Sequence, residues 1–396
     1  MDASGTDDTP GRVGAVPAVS QAGSASEPEP APGSGGSPGG LAARDVRLLV
    51  LCAVSTVAAG VLSLTGAGPV LPFVVSAIAL ALLASLVGRS VDALGDRLGA
   101  GATGVVQSAL GNLPELFVCI FALKAGLYDV VRAAIVGSVL SNVLLVLGIA
   151  FVAGGLKHGK QRFSAERSRT LALMLVLAVF ALAIPSLTQA LHTPAAGHEQ
   201  ALSVVTSIVL LVLFGLSLPA AIAKEGGDPE KPAHHATAEA AQVEQWPLAL
   251  AIGMLAAAGV AAAFVSDWFV AALTPAMDAA HISQTFAGLV IVAIAGNAVE
   301  NVVGIQLARR NQSDYAVSVI LQSPLQVALV VAPVLVLVAP LLGATFTLVL
   351  PPLLLAALLL SVIVTVMVVL DGESTWFEGA TLIALYALLA AGFWWG

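Results

Sequence analysis

Eleven apolar stretches, several about 20 residues long and nearly free of charge, leave this chain few folds to choose from. A helix rising about 1.5 Å per residue needs ~20 residues to cross a hydrocarbon core of ~30 Å. The stretches lie near 47–65, 69–88, 101–124, 129–154, 169–187, 201–223, 247–266, 283–308, 314–340, 345–370 and 378–395. Barrel strands alternate apolar with polar residues, so continuous apolar runs point to helices. Only 10% of the 396 residues are charged, against roughly a quarter in soluble domains. The expected fold is an all-α polytopic membrane protein of eleven transmembrane helices.

Lys and Arg set the orientation of such a chain, because cytoplasmic loops carry an excess of them. Taking loops alternately, one set holds fourteen and the other holds only Lys124 and Arg132. That asymmetry places the N-terminus in the cytoplasm and the C-terminus on the opposite side, with the plasma membrane as the expected location. The basic cluster from Lys157 to Arg169 is accounted for by this topology alone.

Residues 1–43, rich in Gly, Pro, Ser and Ala with scattered acids, read as a disordered cytoplasmic tail. Residues 44–66 form a leading helix that serves as the insertion signal. The cysteines, Cys52 and Cys119, lie in apolar runs and suggest packing rather than a disulfide framework. No basic stripe suggests nucleic acid. No His-Glu-x-x-His pair or Gly-x-Ser-x-Gly elbow supports an intramembrane hydrolase, and no cofactor is expected. His234 and His235, in the segment between the two halves, read as a solvated pair.

Two carboxylates break the apolar pattern. Gly111-Asn112-Leu113-Pro114-Glu115 returns 185 residues later as Gly296-Asn297-Ala298-Val299-Glu300. The same offset aligns Asp129 with Asp314, Ser138 with Ser323 and Leu144 with Leu329 without a gap. This is an internal duplication, with a first five-helix repeat at 67–223 and a second at 246–396, joined by a weakly acidic cytoplasmic linker at 224–245. Five is odd, so the second copy enters the membrane inverted. Inverted repeats set their ion sites near the midplane, where the halves meet.

An intramembrane carboxylate is costly, ~2.5–3.5 kcal/mol on the lenient scale, and usually functional. No basic residue lies at the depth of Glu115 or Glu300 to make them a structural pair. Gly111 and Gly296 add backbone freedom one turn before each acid. Pro114 and Pro324 are expected to free the carbonyls of Leu110 and Ile320. Asp129 and Asp314, at span starts, are expected to cap their helices.

These residues resemble the calcium/cation antiporters, and within them the cation/proton exchanger branch. The resemblance covers about 45–396 and rests on G-N-L-P-E-L at 111–116, G-S-V-L-S-N-V-L-L-V-L-G at 137–148, G-N-A-V-E-N at 296–301 and Q-S-P-L-Q-V-A-L at 322–329. It implies one leading helix followed by two inverted five-helix units. It also makes Glu115 and Glu300 alternating calcium and proton sites, with Asn112, Asn297, Ser138, Ser323 and Gln326 as polar neighbours. Gln322 and Pro324 depart from the G-S-S-L-Q of relatives, and Asn301 stands where a histidine is frequent.

Calcium takes ~6–8 oxygen ligands. A site with two carboxylates is neutral with one calcium or with two protons, which suggests exchange of one for the other. Sodium-coupled relatives tend to carry further acids in the fourth and ninth spans, where this chain has Ser138, Asn142, Ser323 and Gln326. A sodium-coupled or other cation exchanger is therefore the alternative, and a passive channel with the glutamates as its constriction is a weaker one. Calcium ions, protons and the lipid bilayer are the expected partners.

Overall fold

The computed structural model describes residues 43–98, 110–225 and 246–395. The tail, the start of the third span, most of the linker and both linker histidines lie outside the described residues. What is described is helical. Among the described residues nine helices are long and apolar enough to cross a bilayer, and the pair Gln284–Gly296 and Glu300–Arg309, bent by 65°, brings the number to ten if it is one broken span. The chain is an integral multi-pass membrane protein.

The first half comprises α1 (Ala43–Thr65), α2 (Val70–Leu98), α3 (Leu113–Lys124), α4 (Tyr128–Leu140), a π-helical stretch π1 (Ser141–Val146), α5 (Leu147–His158), α6 (Ala165–Ala190) and α7 (Glu199–Glu225). The second comprises α8 (Leu248–Ala280), α9 (Gln284–Phe286), π2 (Ala287–Val292), α10 (Ala293–Gly296), α11 (Ala298–Arg309), α12 (Ser313–Gln326), π3 (Val327–Val331), α13 (Ala332–Val338), α14 (Pro352–Val369) and α15 (Trp376–Phe393). The helices facing lipid show it: α1 exposes Val50, Leu51, Val54 and Val57. By contrast α4 buries every residue from Ala133 to Leu140. The core therefore sits where α4, π1, α12 and π3 meet.

Several expectations change on contact with the fold. Span seven runs on to Ala280 as a 33-residue helix, because its sequence stays apolar past Asp267 until His281 ends it in a left-handed conformation at φ 53°. The segment 344–351, expected as the start of span ten, is extended. Pro351 and Pro352 delay the helix, which begins at Pro352. Extended backbone at membrane depth survives only inside protein. Here Leu348 N–H donates to Ser203 Oγ at 3.0 Å, and Leu350 N–H donates to Ser186 Oγ at 2.9 Å.

Asp129 and Asp314 do not cap their own helices. Each lies in the first turn, with Leu127 and Gln312 at the N-cap positions and no side-chain cap bond at either. Asp129 pairs with Arg132 at 3.0 Å. Asp314 reaches across to α6, accepting from Ser164 N–H at 2.8 Å and pairing with Arg167 at 2.8 Å. A short ribbon closes the same end, β1 (Gln161–Arg162) against β2 (Glu373–Ser374), with Lys160 and Arg162 both paired to Glu373. At the other end Ser283 Oγ donates to Phe393 O at 2.6 Å. Both cysteines are free and buried.

Candidate functional site

The chain turns at Gly111 and Asn112, and α3 starts afresh at Leu113. Pro114 thus falls in the first turn, where a missing N–H costs nothing, rather than breaking a continuous helix. The second copy repeats the design. α10 ends at Gly296, Asn297 occupies the corner, and α11 starts at Ala298. Glu115 and Glu300 are each the third residue of a new helix, a position where the helix dipole favours an anion. The new helix starts offset part of the cost of holding a charge at these two positions.

Pro324 behaves differently, lying inside α12 without ending it. The chain continues from there into π3, at the place matching π1 under the 185-residue offset. π-helical turns are rare and concentrate at functional sites. Thr365 Oγ1 on α14 donates to Ser361 O in its own helix at 2.7 Å and lies 3.4 Å from Val143 O in π1.

The polar side chains converge. Ser323 Oγ donates to Asn297 Oδ1 at 3.0 Å, Asn297 Nδ2 donates to Ser138 Oγ at 3.0 Å, and Ser138 Oγ donates in turn to Glu115 Oε1. Alongside, Asn112 Nδ2 donates to Gln326 Oε1 at 3.0 Å. Six of the seven residues singled out by sequence are thus in two interlocked chains spanning both copies. Glu300, the seventh, is partly exposed and takes no side-chain hydrogen bond from them among the described residues, yet its carboxylate acts electrostatically on that of Glu115.

Glu115 itself is 1% exposed, and its Oε2 is buried without a hydrogen-bond partner. Among the described residues that oxygen has no donor, and a buried carboxylate oxygen can accept from a proton or a cation. Gly296 earns its place by close approach rather than by unusual dihedrals. A Cβ there would lie 3.2 Å from Glu115 Cβ and 3.4 Å from its Cγ.

Asn142, noted in the sequence only as a polar residue of the fourth span, lies beside this set. Asn142 Nδ2 holds the carbonyl of Ser138 at 2.9 Å, while its Oδ1 is buried and unpartnered. A lone amide in an apolar run was the available signal. Cys119 is buried one turn beyond Glu115. Among the described residues no group of three or more His, Cys, Asp or Glu side chains is placed to hold a metal.

Residues 69–223 and 250–395 match the sodium/calcium exchanger protein family. The chain belongs to that family. The resemblance drawn from the paired motifs is borne out along both halves of the exchanger fold. The Ca(2+)/H(+) antiporter ChaA of Bacillus subtilis (strain 168) is 35% identical over 324 residues, covering 81% of this chain and 91% of its own. The Ca(2+)/H(+) antiporter of Aphanothece halophytica is 32% identical over 344 residues, covering 81% and 89%. The solved structure of native YfkE superposes with a TM-score of 0.74 at 31% identity over 88% of this chain and 99% of that one. These family members are transporters, and none of the comparisons points to an enzyme.

Proposed function

We propose that this exchanger-family chain moves calcium out of the cytoplasm in return for protons, by alternating access to one site shared between two inverted repeats. The observation that carries this reading is the continuous hydrogen-bonded path from Ser323 through Asn297 and Ser138 to Glu115. It makes the two copies of the motif parts of one site. Relatives named as Ca(2+)/H(+) antiporters support calcium and protons as the exchanged ions.

In this reading Glu115 and Glu300 bind the ions, and Asn112, Asn297, Ser138, Ser323 and Gln326 shape the shell. Eleven spans follow if α3 completes a crossing begun before Leu110. The leading helix precedes repeats at 67–223 and 246–396, joined by a cytoplasmic linker at 224–245. The basic loops then face the cytoplasm, with the N-terminus inside and the protein in the plasma membrane.

Two carboxylates carry two negative charges. One calcium neutralises them, and so do two protons. The empty, doubly charged site resists passage across hydrocarbon, so only the neutral forms exchange sides, which couples the two fluxes. Hydroxyl and amide oxygens, with backbone carbonyls freed at the helix breaks, fill the remainder of a calcium shell.

The test is transport into inverted vesicles or proteoliposomes under an imposed pH gradient, with calcium, manganese and sodium compared. Calcium uptake that follows the proton gradient and collapses with a protonophore is the expected result. Flux that persists at channel rates without the gradient overturns it.

A further inference from the structure

The exchange site leaves one buried acid unused. Asp45, in the first turn of the leading helix α1, is 2% exposed. Its Oδ1 accepts from Arg89 Nε at 3.0 Å and its Oδ2 from Arg89 Nη2 at 3.3 Å, a two-pronged pair with α2. Oδ2 also accepts from Trp246 Nε1 at 3.1 Å, and Trp246, 3% exposed, stands just before α8. One carboxylate therefore joins three elements separated by 44 and 201 residues.

Those three elements matter to the site. α2 packs along α8 more extensively than any other pair among the described elements, and α1 lies against both. α3, which carries Glu115, packs on α8, and α11, which carries Glu300, packs mainly on α12 and α5 and also touches α2. The α2 and α8 pair thus borders both glutamate helices. α1 is fitted to it along its length. Cys52 Sγ donates to Leu82 O at 3.3 Å, and a Cβ on Gly60 would come within 2.8 Å of the Trp268 ring.

Apolar side chains would pack α1 to its neighbours as tightly without desolvating a charge. What a buried, directional ion pair adds is register. We propose that Asp45 is a positioning residue for exchange. It fastens α1, α2 and α8 at one end, so that the surface bordering both glutamate helices shifts as a single body and the rate of the access change depends on the leading helix. The proposal rests on the exchange reading above and adds a residue that touches neither ion.

The test uses the full chain in proteoliposomes and two independent readouts. In calcium transport, Asp45→Asn and Trp246→Phe lower Vmax by about tenfold while KM for calcium stays within about twofold, the signature of a slower conformational step with an intact site. Asp45→Glu, which keeps the charge, recovers most of the rate. In thermal unfolding, Trp246→Phe lowers Tm by more in the wild-type background than in an Asp45→Ala background, where the shared hydrogen bond is already gone and only the loss of the indole's other contacts remains.

Independent, additive losses of Tm overturn the fastening. Coupled losses with an unchanged Vmax, or with a change confined to KM, overturn the positioning role. A wild-type chain that shows no proton-driven calcium flux sinks the exchange reading instead, and the unfolding cycle still reports on Asp45.

Discussion

Asn297 Nδ2 lies 3.0 Å from Ser138 Oγ, although the two residues are 159 positions apart and belong to different copies of the duplicated motif. Ser138 passes its own proton donor to Glu115. The hydroxyl is thus oriented by one repeat and used by the other. The first copy does not complete the surroundings of Glu115 alone: the second supplies the amide that orients its hydroxyl donor.

The first prediction concerns charge. Glu115→Gln and Glu300→Gln keep shape and the capacity to accept a hydrogen bond but remove the charge that neutralises calcium. Each is expected to reduce proton-driven calcium uptake in vesicles to background at normal protein levels. Persistent coupled flux in either variant would falsify the two-carboxylate mechanism.

The two serines should differ. Ser138 donates to a carboxylate and Ser323 to a neutral amide. Hydrogen bonds to charged groups are worth ~1.5–3 kcal/mol, against ~0.5–1.5 for neutral ones. Ser138→Ala is expected to raise KM for calcium by about tenfold or more, and Ser323→Ala by less. Initial-rate measurements over a calcium series separate them, and equal effects would contradict the polarity of the path.

Gly296→Ala tests the close approach. Alanine ordinarily favours a helix over glycine by ~0.5–1 kcal/mol. Here the added methyl lies 3.2 Å from Glu115 Cβ, tight enough to displace the acid. Calcium affinity should fall while the thermal unfolding temperature changes little. A variant with unaltered KM would show that Glu115 moves aside at no cost.

Acidification has a definite sign under the exchange reading. Protons and calcium occupy the same two carboxylates, so lowering the pH on the calcium-loading face raises KM and leaves Vmax largely unchanged, as in simple competition. Raising the pH on that face lowers KM. Measuring KM at fixed opposite-face pH checks it, and a pH effect confined to Vmax would argue against a shared site.

Ser186 anchors the extended segment 344–351, accepting from Leu350 N–H at 2.9 Å and donating to Leu348 O at 3.0 Å. Ser186→Ala strands two backbone groups in a buried setting, at ~1–3 kcal/mol for an unsatisfied group. Thermal unfolding in detergent should shift downward by several degrees, with little change in KM for calcium.

The sequence alone was enough for a polytopic helical membrane chain, the alternation of basic loops and the pair of glutamates, because each is a local signal. Hydropathy over ~20 residues reports burial in lipid directly. A 185-residue offset is visible in any duplicated chain whose copies remain in register. Family membership followed from the same motifs.

Tertiary structure decided what local signals do not encode. Asp129 and Asp314 look alike in sequence, yet one pairs within its own helix and the other secures α6, since the choice depends on which loop passes nearby. The π-helical stretches at matching places in the two copies have no periodicity to announce them, because a widened turn is set by packing between helices. The extended run before Pro352 reads as a helix until Ser186 and Ser203 are seen to satisfy its backbone. Asp45 reads as an ordinary acid at a helix start until Arg89 and Trp246 close around it. Hydrophobicity placed each helix in the bilayer. Hydrogen bonds between residues distant in sequence, strong where water is excluded, decided which helices share the site.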